Sequence, residues 1–475
     1  MLPPKVPDQL RQIVGLDGVI THDSELRVYD CDGYTLEKST PQVVVLPRTT
    51  GEVAAVLRLL HREQVAFVPR GAGTGLSGGC LPLAAPVMVC TSRMTRILAV
   101  DFANRRATVE AGVVNLAVTN AAKGGRLYYA PDPSSQTACT IGGNVAENSG
   151  GPHTLKYGVT TNHVLGVELV LPNGEVVQLG GPMEDVPGYD LVGLTVGSEG
   201  TFGVVTQATL RLIRRPQAWK TLLAIFESVD DATQTVSGIV AAGIVPAALE
   251  MMDQLIVAAV EAAYHFGFPT DAGAVLIIEL DGLAAGLEPQ AQRVIEICRV
   301  NRAREVSVAK DEAERAALWK SRKRAFGAVG RLAPSYCTQD GVVPRTKLPD
   351  ILRVISKIGR RYRLRIANVF HAGDGNIHPI ILYDERDADQ VERVLNAGRE
   401  ILEACVALGG SITGEHGIGV EKIQQMPLLF SPTDLLVMQQ LRRVFDPKQR
   451  CNPGKIFPTP GVCVETTRPK RRAAV

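Results

Sequence analysis

The chain has 475 residues, 45% of them hydrophobic, which is enough for a large core and suggests two or three domains. Lys and Arg total 51 against 49 Asp and Glu, so the charge balance offers no footprint for nucleic acid. Nine cysteines without a Cys-x-x-Cys pair exclude zinc ribbons, iron–sulfur ligation within the chain and a secreted disulfide framework.

The opening MLPPKVPDQLRQIVG has no apolar stretch of the signal-peptide kind, and no run of about 18 apolar residues follows it. The expectation is a cytoplasmic protein, at most peripheral at the inner membrane. Residues 43–48 read as a strand, and Thr50 is placed to cap a helix over Gly51–His61. A short strand, Ala66–Pro69, runs into Arg70-Gly-Ala-Gly-Thr-Gly-Leu-Ser-Gly78. Strands follow at Val87–Thr91, Ile97–Asp101 and Ala107–Ala111, then a helix over Asn115–Lys123 and a long polar loop, 131–151. Residues 164–179 read as a hairpin turned by Pro172-Asn173-Gly174, and Thr201–Ile213 is β-rich.

Near Arg214–Ala218 the pattern changes. A strand (Thr221–Phe226), a helix (Asp230–Ala242), a longer helix (Met251–Phe266), a strand (Ala274–Leu280) and helices over Gln290–Asn301 and Lys310–Val329 suggest an α+β domain on an antiparallel sheet. The division is residues 1–215, 216–430 and a proline-rich strap at 431–475. The strap ends in the basic cluster Arg468–Arg472, which reads as a solvated tail.

Gly73-Thr-Gly75-Leu-Ser-Gly78 matches GxGxxG after a strand, but Pro82 and Pro86 follow too soon for the helix that a dinucleotide loop must open. What remains is either a glycine-rich surface turn or a nest of N–H groups around a pyrophosphate. Pro131-Asp-Pro-Ser134-Ser135 through Thr140-Ile-Gly142-Gly143-Asn144 to Asn148-Ser149-Gly150-Gly151 adds twenty-one residues of small, polar chemistry, and Gly197–Thr206 adds a third glycine-lined approach. Three such segments point to a large anionic cofactor.

PRGAGTGLSGG, PDPSSQTACTIGGNVAENSGG, VGSEGTFGVVT, VFHAGDGNIHP, GSITGEHGIGVEK and NPGKIFP together resemble, in order, the FAD-linked oxidases of the vanillyl-alcohol-oxidase-like superfamily. The resemblance spans about residues 40–458 and leans toward the FAD subunits of glycolate oxidase and the D-lactate and D-2-hydroxyglutarate dehydrogenases. It implies an α+β, two-part FAD-binding domain of the PCMH/VAO type with a C-terminal α+β cap on an antiparallel sheet. It implies cofactor contacts from Arg70, Gly71, Ala72, Gly73, Thr74, Gly75, Ser77, Gly78, Pro131, Ser134, Ser135, Gly142, Gly143, Asn144, Asn148, Ser149, Gly150, Gly200, Val204 and Asn452. Relatives that attach FAD through histidine carry that residue in the glycine loop, where this chain has Thr74, so the flavin is expected to be non-covalent. Cys139 reads as a buried structural thiol.

Three of the eight histidines fall in two short glycine-flanked motifs. If Asp374-Gly375 makes a two-residue turn, His371 opposes His378 at a spacing suited to a divalent metal. A single such histidine would read as a satisfied core residue, whereas a matched pair favours a metal. Glu415 would complete a His2Glu set with an open position, leaving the adjacent His416 as the base. Zinc, manganese or iron(II) would each suit these ligands. Asn376 is expected to position substrate, and the resemblance makes Arg322 the substrate-carboxylate anchor. Phe326 and Thr338 stand where dicarboxylate-using relatives have extra polar groups, which favours glycolate or D-lactate. The resemblance also implies a second flavin subunit and an iron–sulfur subunit as partners. The alternatives are a stand-alone D-lactate or D-2-hydroxyglutarate dehydrogenase and, in a different class, a flavin scaffold without chemistry.

Overall fold

The computed structural model describes residues 2–183 and 187–458; the basic run Arg468–Arg472 lies outside the described residues. The N-terminal half carries two main sheets. The first is formed by β1 (Val19–Ile20), β2 (Val43–Val45), β3 (Phe67–Arg70) and β4 (Val87–Cys90) in the order β1-β2-β4-β3, parallel except at β1. The next strands are β5 (Ile97–Asp101), β6 (Arg106–Glu110), β7 (Leu127–Tyr128), β8 (Val164–Val170), β9 (Val176–Gly180), β10 (Val204–Arg211) and β11 (Ile213–Arg214). They build an antiparallel sheet, β5-β6-β10-β8-β9, with β7 and β11 paired apart from it.

The C-terminal half is one eight-stranded sheet. Its strands are β12 (Ala218–Phe226), β13 (Ala248–Asp253), β14 (Ala274–Gly282), β15 (Glu305–Val308), β16 (Ser335–Thr338), β17 (Gly341–Val342), β18 (Arg365–His371) and β19 (Asn376–Tyr383). They run antiparallel in the order β15-β12-β14-β13-β18-β19-β16, with β17 also on β19. The α+β class and the antiparallel cap sheet are as expected.

Register in this sheet decides where the chemistry falls. Met251, Phe370, Ile377 and Ile381 point to one face and are fully buried in its core. Each such side chain contributes about 1.5–3 kcal/mol on burial. Glu250, His371, Asn376 and His378 therefore share the opposite face through the pairs Glu250↔His371 and His371↔Asn376. A slip of one residue in β19 would send His378 into the apolar layer and Ile377 into the site.

Several local expectations are corrected. Thr49, not Thr50, caps the helix Thr50–Arg62, its hydroxyl accepting from Glu52 N at 3.1 Å. The segment 131–151 is not all loop: Thr140 caps a short helix, Ile141–Glu147, through Gly143 N. The helix read over Met251–Phe266 begins only at Gln254, because residues 248–253 are a central strand and Asp253 caps the helix through Ile256 N. Lys310–Val329 divides into Glu312–Lys323 and Ala325–Val329.

The hairpin between β18 and β19 also differs. Its turn is four residues, 372–375, so His371 pairs with Asn376 and Val369 with His378. Asp374 Oδ1 accepts from Asn376 N at 3.0 Å, Gly375 takes φ +82°, and Gly375 O accepts from Val343 N at 3.1 Å. That neighbouring contact and the left-handed glycine hold the wider turn. The two histidines are thus diagonal, not directly opposed.

After the helix Pro432–Phe445 the chain returns to the N-terminal half. Phe67 N donates to Arg450 O at 2.9 Å and Asn452 N to Phe67 O at 2.8 Å, covering the free edge of β3. No helix among the described residues is long and apolar enough to cross a membrane.

Candidate active site

A cavity of about 370 Å³ runs between the two halves. Its N-terminal wall includes Gly71, Ala72, Gly73, Thr74, Gly75, Ser134, Ser135, Gly143, Asn144, Ser149 and Gly200, all expected cofactor contacts. β3 ends at Arg70, and the loop beyond it enters no helix before β4. Among the described residues, no backbone carbonyl accepts from the N–H groups of residues 72–75. Such donors, lining a cavity, suit a phosphate-bearing ligand. A Cβ on Gly71 would collide with Thr140 Oγ1, so the loop and the 131–151 segment meet only because that residue is glycine. The cavity thus fits a long anionic cofactor.

The remaining expected contacts lie behind this wall. Arg70 donates to Cys31 O at 3.0 Å, Pro131 O accepts from Asn115 Nδ2 at 3.1 Å, and Asn148 Oδ1 accepts from Thr161 N at 2.9 Å. Ser77 Oγ donates to His416 O at 2.9 Å, and Asn452 Nδ2 donates to Gly79 O and Glu199 O. Gly78 abuts Val420, Gly142 abuts Ala111, and Val204 is buried at the start of β10. Gly150 faces the cap instead: a Cβ there would lie 2.9 Å from Glu415 Oε2. Cys139 is buried and also reaches the cavity wall.

The cap contributes Lys323, Phe326, Tyr336, Thr338, His378, Glu415 and His416 to the same cavity. The ring centroids of His371 and His378 are 5.1 Å apart, and Nε2 of each lies 3.2 Å from Glu415 Oε1. The three donor atoms lie within 4.8 Å of one another, as the expected His2Glu set requires. Burial would raise the Glu415 carboxyl, but His371 and His378 hold it well below the usual carboxylate range. Two imidazoles and an ionised carboxylate converging in a buried site fit a divalent cation.

Asp340, His378 and His416 form a second group of the same size. Asp340 is already committed, however. Its Oδ2 accepts from Thr413 Oγ1 at 2.6 Å, from Gly414 N and His416 N at 2.9 Å and from Glu415 N at 3.2 Å. Its lone pairs support the loop 413–416. Burial works against its charge, yet His416 and Lys422 hold the carboxyl well below its usual range. His416 itself is pushed down to about 4, first by burial.

Arg322 and Asn376 do not line the cavity. Arg322 is 1% exposed, its Nε pairs by charge with Glu250 Oε2 at 2.7 Å, and none of its three guanidinium nitrogens has a hydrogen-bond partner. Asn376 is buried with Oδ1 unpartnered, and its amide packs against Gly414. Residue patterning missed Glu250 and Asp340. Glu250 was legible as a lone charge in the apolar run Ala247–Met252, a position that calls for a partner; Asp340 had no such signal.

The family described as FAD linked oxidases, C-terminal domain, matches residues 215–456, and the one described as FAD binding domain matches residues 41–180. The glycolate oxidase subunit GlcD of Escherichia coli (strain K12) is 47% identical over 453 residues, spanning 95% of this chain and 91% of the relative. GlcD of Bacillus subtilis (strain 168) is 41% identical, spanning 96% and 97%. A D-lactate dehydrogenase of Anaerostipes hadrus is 32% identical, spanning 92% of each. Among solved structures, p-cresol methylhydroxylase with substrate bound superimposes with a TM-score of 0.78 at 16% identity, covering 95% of this chain and 96% of that one. At that identity the likeness speaks for the fold alone.

Proposed function

The chain belongs to the family of FAD-linked oxidases, and on that premise we propose that it oxidises a small 2-hydroxy acid, glycolate or D-lactate, to the 2-oxo acid. It is an FAD-dependent oxidoreductase. The observation that carries the substrate reading is the meeting, in one cavity, of the glycine loop with His378, Glu415 and His416. The flavin stays non-covalent, with Thr74 in the loop.

His371, His378 and Glu415 would hold a divalent metal, and residues 71–75, Ser134, Ser135, Gly143 and Asn144 would hold the FAD. When bound, the flavin supplies a two-electron acceptor and the metal a Lewis acid for the substrate hydroxyl. The rest falls to side chains of the chain. Nδ1 of His416 is sealed in protein without a partner, so Nε2 faces the cavity and takes the hydroxyl proton. Arg322 lies behind the cavity wall, and a substrate carboxylate that reached its unpartnered Nη1 and Nη2 would meet a two-pronged donor, while Asn376 steadies the wall beside Gly414. Phe326 and Thr338 stand where dicarboxylate-using relatives have extra polar groups, which suits a monocarboxylate. The two GlcD relatives are named as subunits, which supports partner chains as the route by which electrons leave; a second flavin subunit and an iron–sulfur subunit are the partners that the family resemblance implies.

The test is anaerobic bleaching of the flavin absorbance by glycolate, D-lactate, L-lactate and D-2-hydroxyglutarate in turn. Glycolate or D-lactate should reduce the flavin fastest. Preferential reduction by D-2-hydroxyglutarate or L-lactate would contradict the substrate assignment.

A further inference from the structure

One carboxylate touches both halves of the proposed site. Glu250, in the middle of β13, is fully buried; its Oε1 lies 2.7 Å from His371 Nδ1 and its Oε2 lies 2.7 Å from Arg322 Nε. We propose that Glu250 is a positioning residue that sets the metal-binding tautomer of His371 and the substrate-facing edge of Arg322 together. The proposal rests on the reading of His371 as a metal ligand and of Arg322 as the carboxylate anchor.

The argument at His371 is one of proton placement. An ionised carboxylate only accepts, so the contact at 2.7 Å fixes the ring proton on Nδ1. In the neutral ring that a bound cation requires, the lone pair is then on Nε2, the atom that faces Glu415 and His378. A histidine whose second nitrogen is held this way is a stronger and better-aimed ligand. The strand register enforces the contact, since Glu250 and His371 are paired residues of adjacent strands and project to one face.

The argument at Arg322 is one of fork geometry. A guanidinium has three edges, and the Glu250 carboxylate lies nearest the one at Nε, as an ion pair at 2.7 Å without hydrogen-bond geometry. Nη1 and Nη2 remain, both buried and both without a hydrogen-bond partner. That pair matches the two oxygens of a carboxylate. Glu250 also supplies the countercharge without which a cation that is 1% exposed would be costly. The same negative charge therefore keeps Arg322 in place while leaving its outward edge for substrate.

Being a counter-ion for Arg322 alone would also explain the burial of Glu250, and metal binding separates the two roles. The probe is Zn2+ or Mn2+, titrated against a chelating dye into metal-stripped protein that still carries FAD, together with the KM of whichever acid reduces the flavin. Glu250→Gln should weaken metal binding 10–100-fold with the flavin content unchanged. Arg322→Met should leave the metal midpoint within about threefold while raising KM at least tenfold. The double variant Glu250→Gln/Arg322→Met removes the unpaired buried charge, so it serves even where Glu250→Gln alone fails to fold. It should bind metal as weakly as the Gln variant does. A double variant with the metal midpoint of the unaltered protein would overturn the proposal. His371→Ala with an unaltered midpoint would instead overturn the metal reading beneath it.

Discussion

The rings of His378 and His416 are stacked, with centroids 5.0 Å apart and planes 7° from parallel. A proposed ligand and the proposed base thus share a wall, and a cation held by His378 would disfavour a second positive charge on His416. His416→Ala should keep bound flavin and lose its anaerobic reduction by substrate by a factor of about 10²–10⁴. Rapid-mixing absorbance measures this directly. Unchanged reduction would remove His416 from the mechanism.

Asp340 organises the loop that delivers Glu415 and His416, with one carboxylate oxygen accepting four bonds. Asp340→Ala would leave those donors buried and unpaired, at a cost of about 3–5 kcal/mol. Denaturant unfolding should show a loss of that order. Asp340→Asn, which retains an accepting oxygen, should recover part of the stability but less of kcat/KM.

Gly150 separates the two halves of the site by the width of a missing side chain. A Cβ there would lie 2.9 Å from both Glu415 Oε2 and Thr154 Oγ1. Gly150→Ala should displace the Glu415 carboxylate and weaken metal binding about tenfold, with the flavin still bound. Metal titration of the flavin-loaded variant checks this; an unaltered midpoint would show that Glu415 tolerates the push.

The two halves are also clasped by charge. His153 Nδ1 lies 2.8 Å from Asp132 Oδ2, its ring stacks on Trp319, and Glu279 across the interface accepts from Arg315 and Trp319. Burial alone would lower His153, but Asp132 and Glu279 raise it to about 10. A folded-state value above the unfolded one gives stability that is complete below about pH 6.5 and lost as pH rises toward 10. Thermal unfolding between pH 7 and 10 should show this decline, amounting to about 2–4 kcal/mol. His153→Asn should flatten it; an equal decline in the variant would place the titrating group elsewhere.

Much of this was legible in the chain itself. Prolines after the glycine loop excluded a dinucleotide-type helix, and none forms there. The spacing from His371 to His378 placed both rings on one face, although the turn proved two residues wider than the shortest one. The shift preserved the face because the pleat has a period of two. What stayed hidden was non-local. Glu250 stood just before a stretch read as helix, since Met251–Phe266 carries helix formers and the strand before Asp253 is set by its neighbours in the sheet. Asp340 gains its meaning only from residues 73–76 positions later in the chain, and Arg322, on a helix, only from Glu250 in the strand Ala248–Asp253.

The most direct test of the account is single-turnover reduction of the flavin by glycolate or D-lactate in protein stripped of metal but loaded with FAD. The account predicts that the stripped protein keeps its flavin spectrum, loses reduction by at least about 100-fold, and recovers it when Mn2+ or Zn2+ is restored. In His371→Ala the loss should persist after restoration. Full-rate reduction in stripped protein would contradict the assignment of His371, His378 and Glu415 to a metal.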